Sequence, residues 1–363
     1  MPAFATDPRE LSLAEIPGAV TEQLAEYVGR RTRSTGEIDP SVGFAVELLQ
    51  AFVLSGGKRI RPLYAWAGYV GSARPEVSSE DPYAVLRAVS SLELIQACAL
   101  IHDDIVDGSD TRRGRPTVHR QAEARHRELG WSGDAAKFGE SIAILVGDLA
   151  LAWAEDMLQD SGLSPAALAR IRDPWRAMRT EVISGQILDI SAEAARETDP
   201  QVAEKINRYK TAAYTIERPL HLGATIANAP ERTIAAFRAY GHDIGVAFQL
   251  RDDELGVFGD PAVTGKPAGD DLREGKRTVL VNRAIALSDR GSELDRELGR
   301  TADPARIAAL TGIIRDSGAL DEVERRIAEL TASGLSHLDQ ASLPDAVTET
   351  LRGLAIKATE RRS

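Results

Sequence analysis

The chain has 363 residues, with 44 Lys plus Arg against 55 Asp plus Glu and a formal net charge of −11. At 39.1 kDa and 43% hydrophobic residues it can bury a substantial core, which excludes a disordered or fibrous protein. Its one cysteine, Cys98, excludes an internal disulfide framework and any multi-cysteine zinc or iron–sulfur site, and points to a reducing, cytoplasmic setting. The acidic balance argues against nucleic acid as a partner, whereas a polyphosphate substrate needs only local positive charge or bound metal.

The opening MPAFATDPRELSLAEIPG carries acids early and no apolar h-region, so no signal peptide is expected. The longest apolar run, Tyr83 to Ile101, contains Arg87, Glu93 and Gln96, which disfavours a membrane span. No stretch sustains period-two alternation with β-branched enrichment, and the pattern predicts helices near 18–33, 41–55, 57–71, 82–107, 118–129, 135–161, 164–192, 200–227, 230–257, 275–291, 303–316, 318–340 and 343–361. Asp81-Pro82, Ser164-Pro165 and Asp303-Pro304 each read as an N-cap followed by proline at the first helical position. The conspicuous irregular segment is Leu255–Thr278, rich in glycine and charge. No composition shift marks a boundary, so one all-α domain over 1–363 is expected.

In LELIQACALIHDDIVD, residues 92–107, an apolar helix ends in three carboxylates. Asp103 and Asp107 are i and i+4 on one face, with Asp104 beside them, a spacing that is destabilising unless something neutralises it. Carboxylates with neither sulfur nor clustered histidine suit a hard cation, magnesium above all, which is usually completed by substrate phosphates. A lone DDxxD is more often a solvated helix end. Here SDTRRGRPTVHR follows at once, and its arginines carry forked donors suited to phosphate. Surface pairing with Asp104 and Asp110 accounts for one or two of these arginines, not for all. A second acidic segment, Gln249-Leu250-Arg251-Asp252-Asp253-Glu254, precedes a loop bearing Lys266, Lys276 and Arg277. Two acidic helices with scattered cations could jointly clamp a magnesium-bound diphosphate.

These segments resemble the two aspartate-rich motifs of the trans-isoprenyl diphosphate synthases, the polyprenyl synthetase family. LIHDDIVDGSDTRRGRPTVH is similar to the first motif, and FQLRDDELGVFGDPAVTGKPAGDDLREGKRT to the second with its lysine-bearing loop. SGGKRIRP (55–62), GQILD (185–189) and YKTA (209–212) match the remaining landmarks, in the family's order over residues 56–278. The resemblance implies a single-domain isoprenoid-synthase helical bundle around a central apolar cavity, with 279–363 as C-terminal helices. It implies head-to-tail condensation of isopentenyl diphosphate with an allylic diphosphate (dimethylallyl, geranyl or farnesyl), two or three Mg2+ ions, and a homodimer.

Carried over residue by residue, the resemblance assigns Asp103 and Asp107, supported by Asp104, and Asp252 on the second helix, to magnesium. Lys58, Arg61, Gln96 and Arg113 match the holders of the isopentenyl diphosphate. Arg112, Lys210, Gln249, Lys266 and Lys276 match those of the allylic diphosphate, and Thr211 and Gln186 lie near the reacting carbons. The second motif usually reads DDxxD, but position 256 is glycine, so one carboxylate is absent. In the family the released diphosphate takes the proton, and no protein nucleophile is required. Family members that stop at fifteen carbons carry an aromatic residue four or five positions before the first aspartate; here these are Ala99 and Cys98, with Ile95 a turn deeper. Each isoprene unit adds about one helical turn, ~5 Å, so a twenty-carbon product, geranylgeranyl diphosphate, is expected. A farnesyl or longer-chain synthase, or a subunit of a heteromeric synthase, is the alternative. An HD-type phosphohydrolase, prompted by His102-Asp103 and His242-Asp243, would need more ligand histidines than the six present.

Overall fold

In the computed structural model, residues 7–72, 80–259 and 268–360 are described. They are almost wholly helical, as the pattern predicts, and their contacts define two compact units: Met1–Ile171 with Thr225–Asn228, and Arg172–Ala224 with Ala229–Ser363.

The first unit carries α1 (Ile16–Gly36), α2 (Pro40–Leu54), α3 (Ile60–Ser72), α4 (Pro82–Ser90), α5 (Leu92–Val106), α6 (Val118–Glu128), α7 (Ala135–Gln159) and the first residues of α8 (Pro165–Ala195). Asp81 caps α4 by accepting from Tyr83 N at 3.1 Å, and Ser164 Oγ accepts from Ala167 N at 3.1 Å, as expected of both Ser/Asp-Pro pairs. Leu49, Trp66, Leu86, Leu94 and Ile101 are buried at the centre of this unit. The stretch Pro82–Val106 is long and apolar enough for a membrane span by composition, but 78% of its window is buried inside the fold, and it breaks at Ser91 into α4 and α5. One helix over 82–107 is therefore corrected to two. The segment expected to be helical from 57 begins at Ile60, because Gly56, Gly57 and Arg59 have φ of 114°, 118° and 51°. A two-stranded antiparallel hairpin, β1 (Thr111–Arg112) with β2 (Arg115–Pro116), was not legible in the sequence. Arg113 and Gly114, at φ 53° and 72°, form its two-residue turn, in which both residues need positive φ.

The second unit carries the remainder of α8, then α9 (Pro200–Ile206), a π-helical segment (Asn207–Glu217), α10 (Arg218–Ile226, whose last residues belong to the first unit), α11 (Glu231–Phe258), α12 (Asp270–Glu274), α13 (Val279–Leu287), α14 (Gly291–Glu297), α15 (Pro304–Asp316), α16 (Ala319–Gln340) and α17 (Asp345–Thr359). The helix expected over 275–291 is thus shorter, and α12 and α14 flank it. Residues 200–226 are helical throughout, one residue short of the expected end, but their middle widens to i→i+5 bonding, a form concentrated at functional sites. The widened segment is seated on glycines. A Cβ at Gly245 would lie 2.6 Å from Ala212 Cα, one at Gly241 2.5 Å from Glu217 Cα, and one at Gly185 2.4 Å from Lys210 N. Backbone against backbone at this separation admits no side chain.

Candidate active site

In the first unit the acidic end of α5, the hairpin and the 55–62 loop come together. Arg112, fixed on β1, donates Nε to Asp104 Oδ1 at 2.7 Å and approaches Asp103 Oδ2 at 3.6 Å. Asp104 is 1% exposed, and burial pushes its carboxyl up to about 6, opposed by Arg112 and reinforced by Asp103 and Asp107. Its Oδ2 is buried without a hydrogen-bond partner. An all-oxygen donor set, crowded with like charge and holding an orphaned buried carboxylate oxygen, fits a hard divalent cation. Among the described residues no three His, Cys, Asp or Glu side chains form a ready-made metal cage.

Arg113 crosses from the hairpin turn to donate Nη1 to Gly56 O at 2.8 Å, and its guanidinium lies 3.2 Å from where a Gly57 Cβ would be. The glycine pair is therefore what admits this arginine. Lys58 is exposed next to it and Arg61 is half-buried. Arg59 serves the scaffold: it is 4% exposed, pairs with buried Glu93 at 2.8 Å and donates to Val53 O at 2.6 Å. Arg120 pairs with Asp110 at 2.7 Å, so surface pairing accounts for it. Gln96 is half-buried on α5.

Of the chain-length candidates, Ile95 is 2% exposed, Cys98 is 9% exposed and Ala99 is half-buried. Cys98 Sγ lies 3.8 Å from His102 Nδ1, and His102 Nε2 reaches Ile144 O at 3.0 Å over Gly147. His102 is thus a packed, hydrogen-bonded helix residue, as is Asp243, which accepts from Ser333 Oγ at 2.6 Å. No phosphohydrolase histidine cluster exists among the described residues.

In the second unit, Lys210 on the π-helical segment pairs with Asp189 of α8, the last residue of GQILD, for which the motif implies no role by itself. Thr211 is half-buried beside it, and Gln186 is half-buried one turn before Asp189. On α11, Asp252 is exposed while Asp253 turns inward, 5% exposed. Gln249 Nε2 donates to Asp253 Oδ1 at 2.6 Å, and Asn207 Nδ2 to Oδ2 at 3.4 Å. Burial, then the charge of Asp271, push the Asp253 carboxyl up to about 8. Asn207 and Asp271 carry no signal in the two acidic motifs themselves. Lys276 Nζ pairs with Glu274 and stands 3.7 Å from Asp271 Oδ1. Lys266 lies outside the described residues.

An all-α fold with one cluster of carboxylates and cations in each unit marks the class of protein, an all-helical transferase. The profile of the polyprenyl synthetase family matches residues 44–314, and the chain belongs to that family and is a prenyltransferase. The crystal structure of a geranylgeranyl pyrophosphate synthase from Corynebacterium glutamicum, complexed with isoprenyl diphosphate and magnesium, is 56% identical, with a TM-score of 0.94 over 97% of this chain and 100% of that one. A geranylgeranyl diphosphate synthase from Mycobacterium tuberculosis is 35% identical over 81% of this chain and 76% of its own. A geranylfarnesyl diphosphate synthase from Aeropyrum pernix is 34% identical over 86% of this chain and 92% of its own.

Proposed function

We propose that this prenyltransferase condenses isopentenyl diphosphate with allylic diphosphates, 1′ to 4, and releases geranylgeranyl diphosphate. The observation that carries the reading is the 56% identity to the Corynebacterium glutamicum synthase over 97% of the chain. Asp103, Asp107 and Asp252 are the proposed holders of two or three Mg2+ ions. When bound, magnesium supplies the positive charge that stabilises the departing diphosphate.

The chain's own residues do the rest. Arg112 is positioned by Asp104 and faces Asp103, so its guanidinium is available to the allylic diphosphate next to those carboxylates. Lys210, paired with Asp189, and Gln249, hydrogen-bonded to Asp253, are further proposed holders of the allylic diphosphate. Lys276 and Lys266 complete that set. Lys58, Arg61, Gln96 and Arg113 orient isopentenyl diphosphate, with Arg113 aimed by its bond to Gly56 O. Separate cation sets keep the two diphosphates apart, so that the double bond of one meets C1′ of the other in a fixed geometry. The C1′–O bond breaks, the C1′–C4 bond forms, and the proton lost from C2 leaves with the diphosphate.

A homodimer in the cytoplasm completes the proposal. Ser141, Ile144, Leu145 and Asp148 form one exposed stripe of α7, with Leu145 62% and Ile144 43% exposed. Two adjacent exposed aliphatic side chains, Ile144 and Leu145, suit contact with a second copy. The test of function is purified protein with Mg2+, labelled isopentenyl diphosphate and each allylic diphosphate in turn. A twenty-carbon diphosphate supports the reading, and a different terminal length overturns the product assignment alone.

A further inference from the structure

A second cleft lies in the first unit, framed by α1, α4 and the end of α7. It encloses about 370 Å³, within the ~300–1,000 Å³ of small-molecule sites. Along α7, Met157 in its wall stands about 20 Å beyond Ile144, whose carbonyl contacts His102 next to the acidic end of α5. Gln23, Tyr27 and Arg31 line it from successive turns on one face of α1. Gln23 is 4% exposed, and its Nε2 has no hydrogen-bond partner. A buried amide donor left unmatched is costly to a fold, and this one belongs to the wall of a cleft.

From α4, Arg87 reaches the same space. Its Nε donates to Ser161 O at 2.7 Å, which fixes the plane of the guanidinium. Gly162, at φ 90°, makes room beside it, since a Cβ there would lie 3.0 Å from Arg87 Nη2. Among the described residues no carboxylate pairs with Arg87. The other arginines of the lining have partners: Arg31 meets Asp156 at 2.9 Å and Asp160 at 3.9 Å, and Arg30 stands 4.0 Å from Glu26. Arg87 is therefore the cation of the cleft whose charge is unmatched. Met157 and the ring of Tyr27, whose hydroxyl donates to Trp153 O at 3.1 Å, supply an apolar wall.

We propose that this cleft is a second ligand site for a small organic oxyanion, a phosphate monoester or a carboxylate. Its charged group pairs with the forked donors of Arg87, which suit either oxyanion. A second acceptor on the ligand, a hydroxyl or carbonyl oxygen, takes the Gln23 amide. The site is separate from the diphosphate holders named above and does not rest on the prenyltransferase reading.

The experiment uses the full chain without Mg2+ and titrates it with glycerol 3-phosphate, with malate, and with inorganic phosphate, which lacks the second acceptor. Calorimetry gives the affinity. Hydrogen exchange over residues 20–34 and 155–163 locates the ligand, with 100–115 as the active-site control. Glycerol 3-phosphate or malate should protect the first two segments and not the third, and the tighter of the two identifies the charged group. Inorganic phosphate should bind about tenfold more weakly than that probe. Gln23→Met keeps the side-chain volume and removes the unmatched donor. It should weaken binding about tenfold while raising the melting midpoint of the free protein by about 2 °C. Arg87→Lys keeps the charge but loses the fork, and should weaken binding by about tenfold or more.

The proposal is overturned if neither organic probe protects residues 20–34 and 155–163, or if protection is confined to 100–115. It is equally overturned if Gln23→Met binds as wild type does or melts below it, which would make Gln23 a packing residue only. Where Arg87→Lys lowers stability, Gln23→Met decides the matter by itself.

Discussion

Gly185→Ala is the substitution whose consequence the structure defines most sharply. In a solvent-exposed helix interior, alanine for glycine stabilises by about 1 kcal/mol. At Gly185 the added Cβ would sit 2.4 Å from Lys210 N, 2.7 Å from its Cα and 2.9 Å from its Cβ. Two of these atoms are backbone, so no rotamer change relieves the clash. Overpacking of this kind costs about 3 kcal/mol, leaving a net loss of about 2 kcal/mol after the helix-propensity gain. For a chain of this length that is a fall of about 3 °C in melting midpoint. The displaced residue is Lys210, so its ion pair with Asp189 is disturbed as well. A charge-assisted hydrogen bond is worth about 1.5–3 kcal/mol, so KM for the allylic diphosphate should rise by about tenfold or more, while KM for isopentenyl diphosphate stays within about twofold. The assays are calorimetry and steady-state condensation with each substrate varied. A variant as stable as wild type, or one whose two KM values rise together, would refute the claim that Gly185 seats the allylic-side lysine.

Ala99→Phe places a ring one turn below the first acidic motif and should shift the product from twenty toward fifteen carbons by chromatography; an unchanged length puts the pocket floor elsewhere. Burial, then Asp148, push the Cys98 thiol up to about 12. Against a free cysteine of pKa about 8.5, alkylation of the folded protein at pH 8 should therefore be slower by about a thousandfold, and iodoacetamide labelling followed by mass spectrometry measures it. His221 is held down to about 4 by burial and by the charges of Arg218 and Arg238. Its unfolded form takes up a proton below about 6.5 that the folded form refuses, so stability is lost as pH falls from about 6.5 toward 4. Between pH 7 and 5 wild type should lose about 2 kcal/mol more than His221→Gln, and equal losses in the two melts would contradict this. Leu145→Glu, a charge on the exposed Ile144–Leu145 pair of α7, should move the sedimentation mass from two chains toward one.

The helical architecture could be read from the sequence because apolar spacing and the Asp-Pro and Ser-Pro starts are local signals. Asp81 and Asp303 cap the helices they were expected to cap, the latter by accepting from Ala305 N at 3.1 Å. What was not legible depends on approaches between distant segments. The break at Ser91, the hairpin that aims Arg112 and Arg113, and the widened helix seated on Gly185, Gly241 and Gly245 carry no pattern of their own. The site shows the same division. Asp103, Asp107 and Asp252 stand out through carboxylates on otherwise apolar helices, whereas the inward turn of Asp253, the pairing of Lys210 with Asp189 and the carboxylate of Asp271 at Gly256 appear only in three dimensions. The net charge of −11 conceals this arrangement, because several of the acids surround local cations.

The most direct measurement is condensation by the purified chain with Mg2+, isopentenyl diphosphate and farnesyl diphosphate, with Asp103→Ala and a chelator as controls. The expected result is geranylgeranyl diphosphate from wild type, lost by orders of magnitude in both controls. Absence of any condensed product with dimethylallyl, geranyl and farnesyl diphosphates, or turnover indifferent to magnesium, would contradict it.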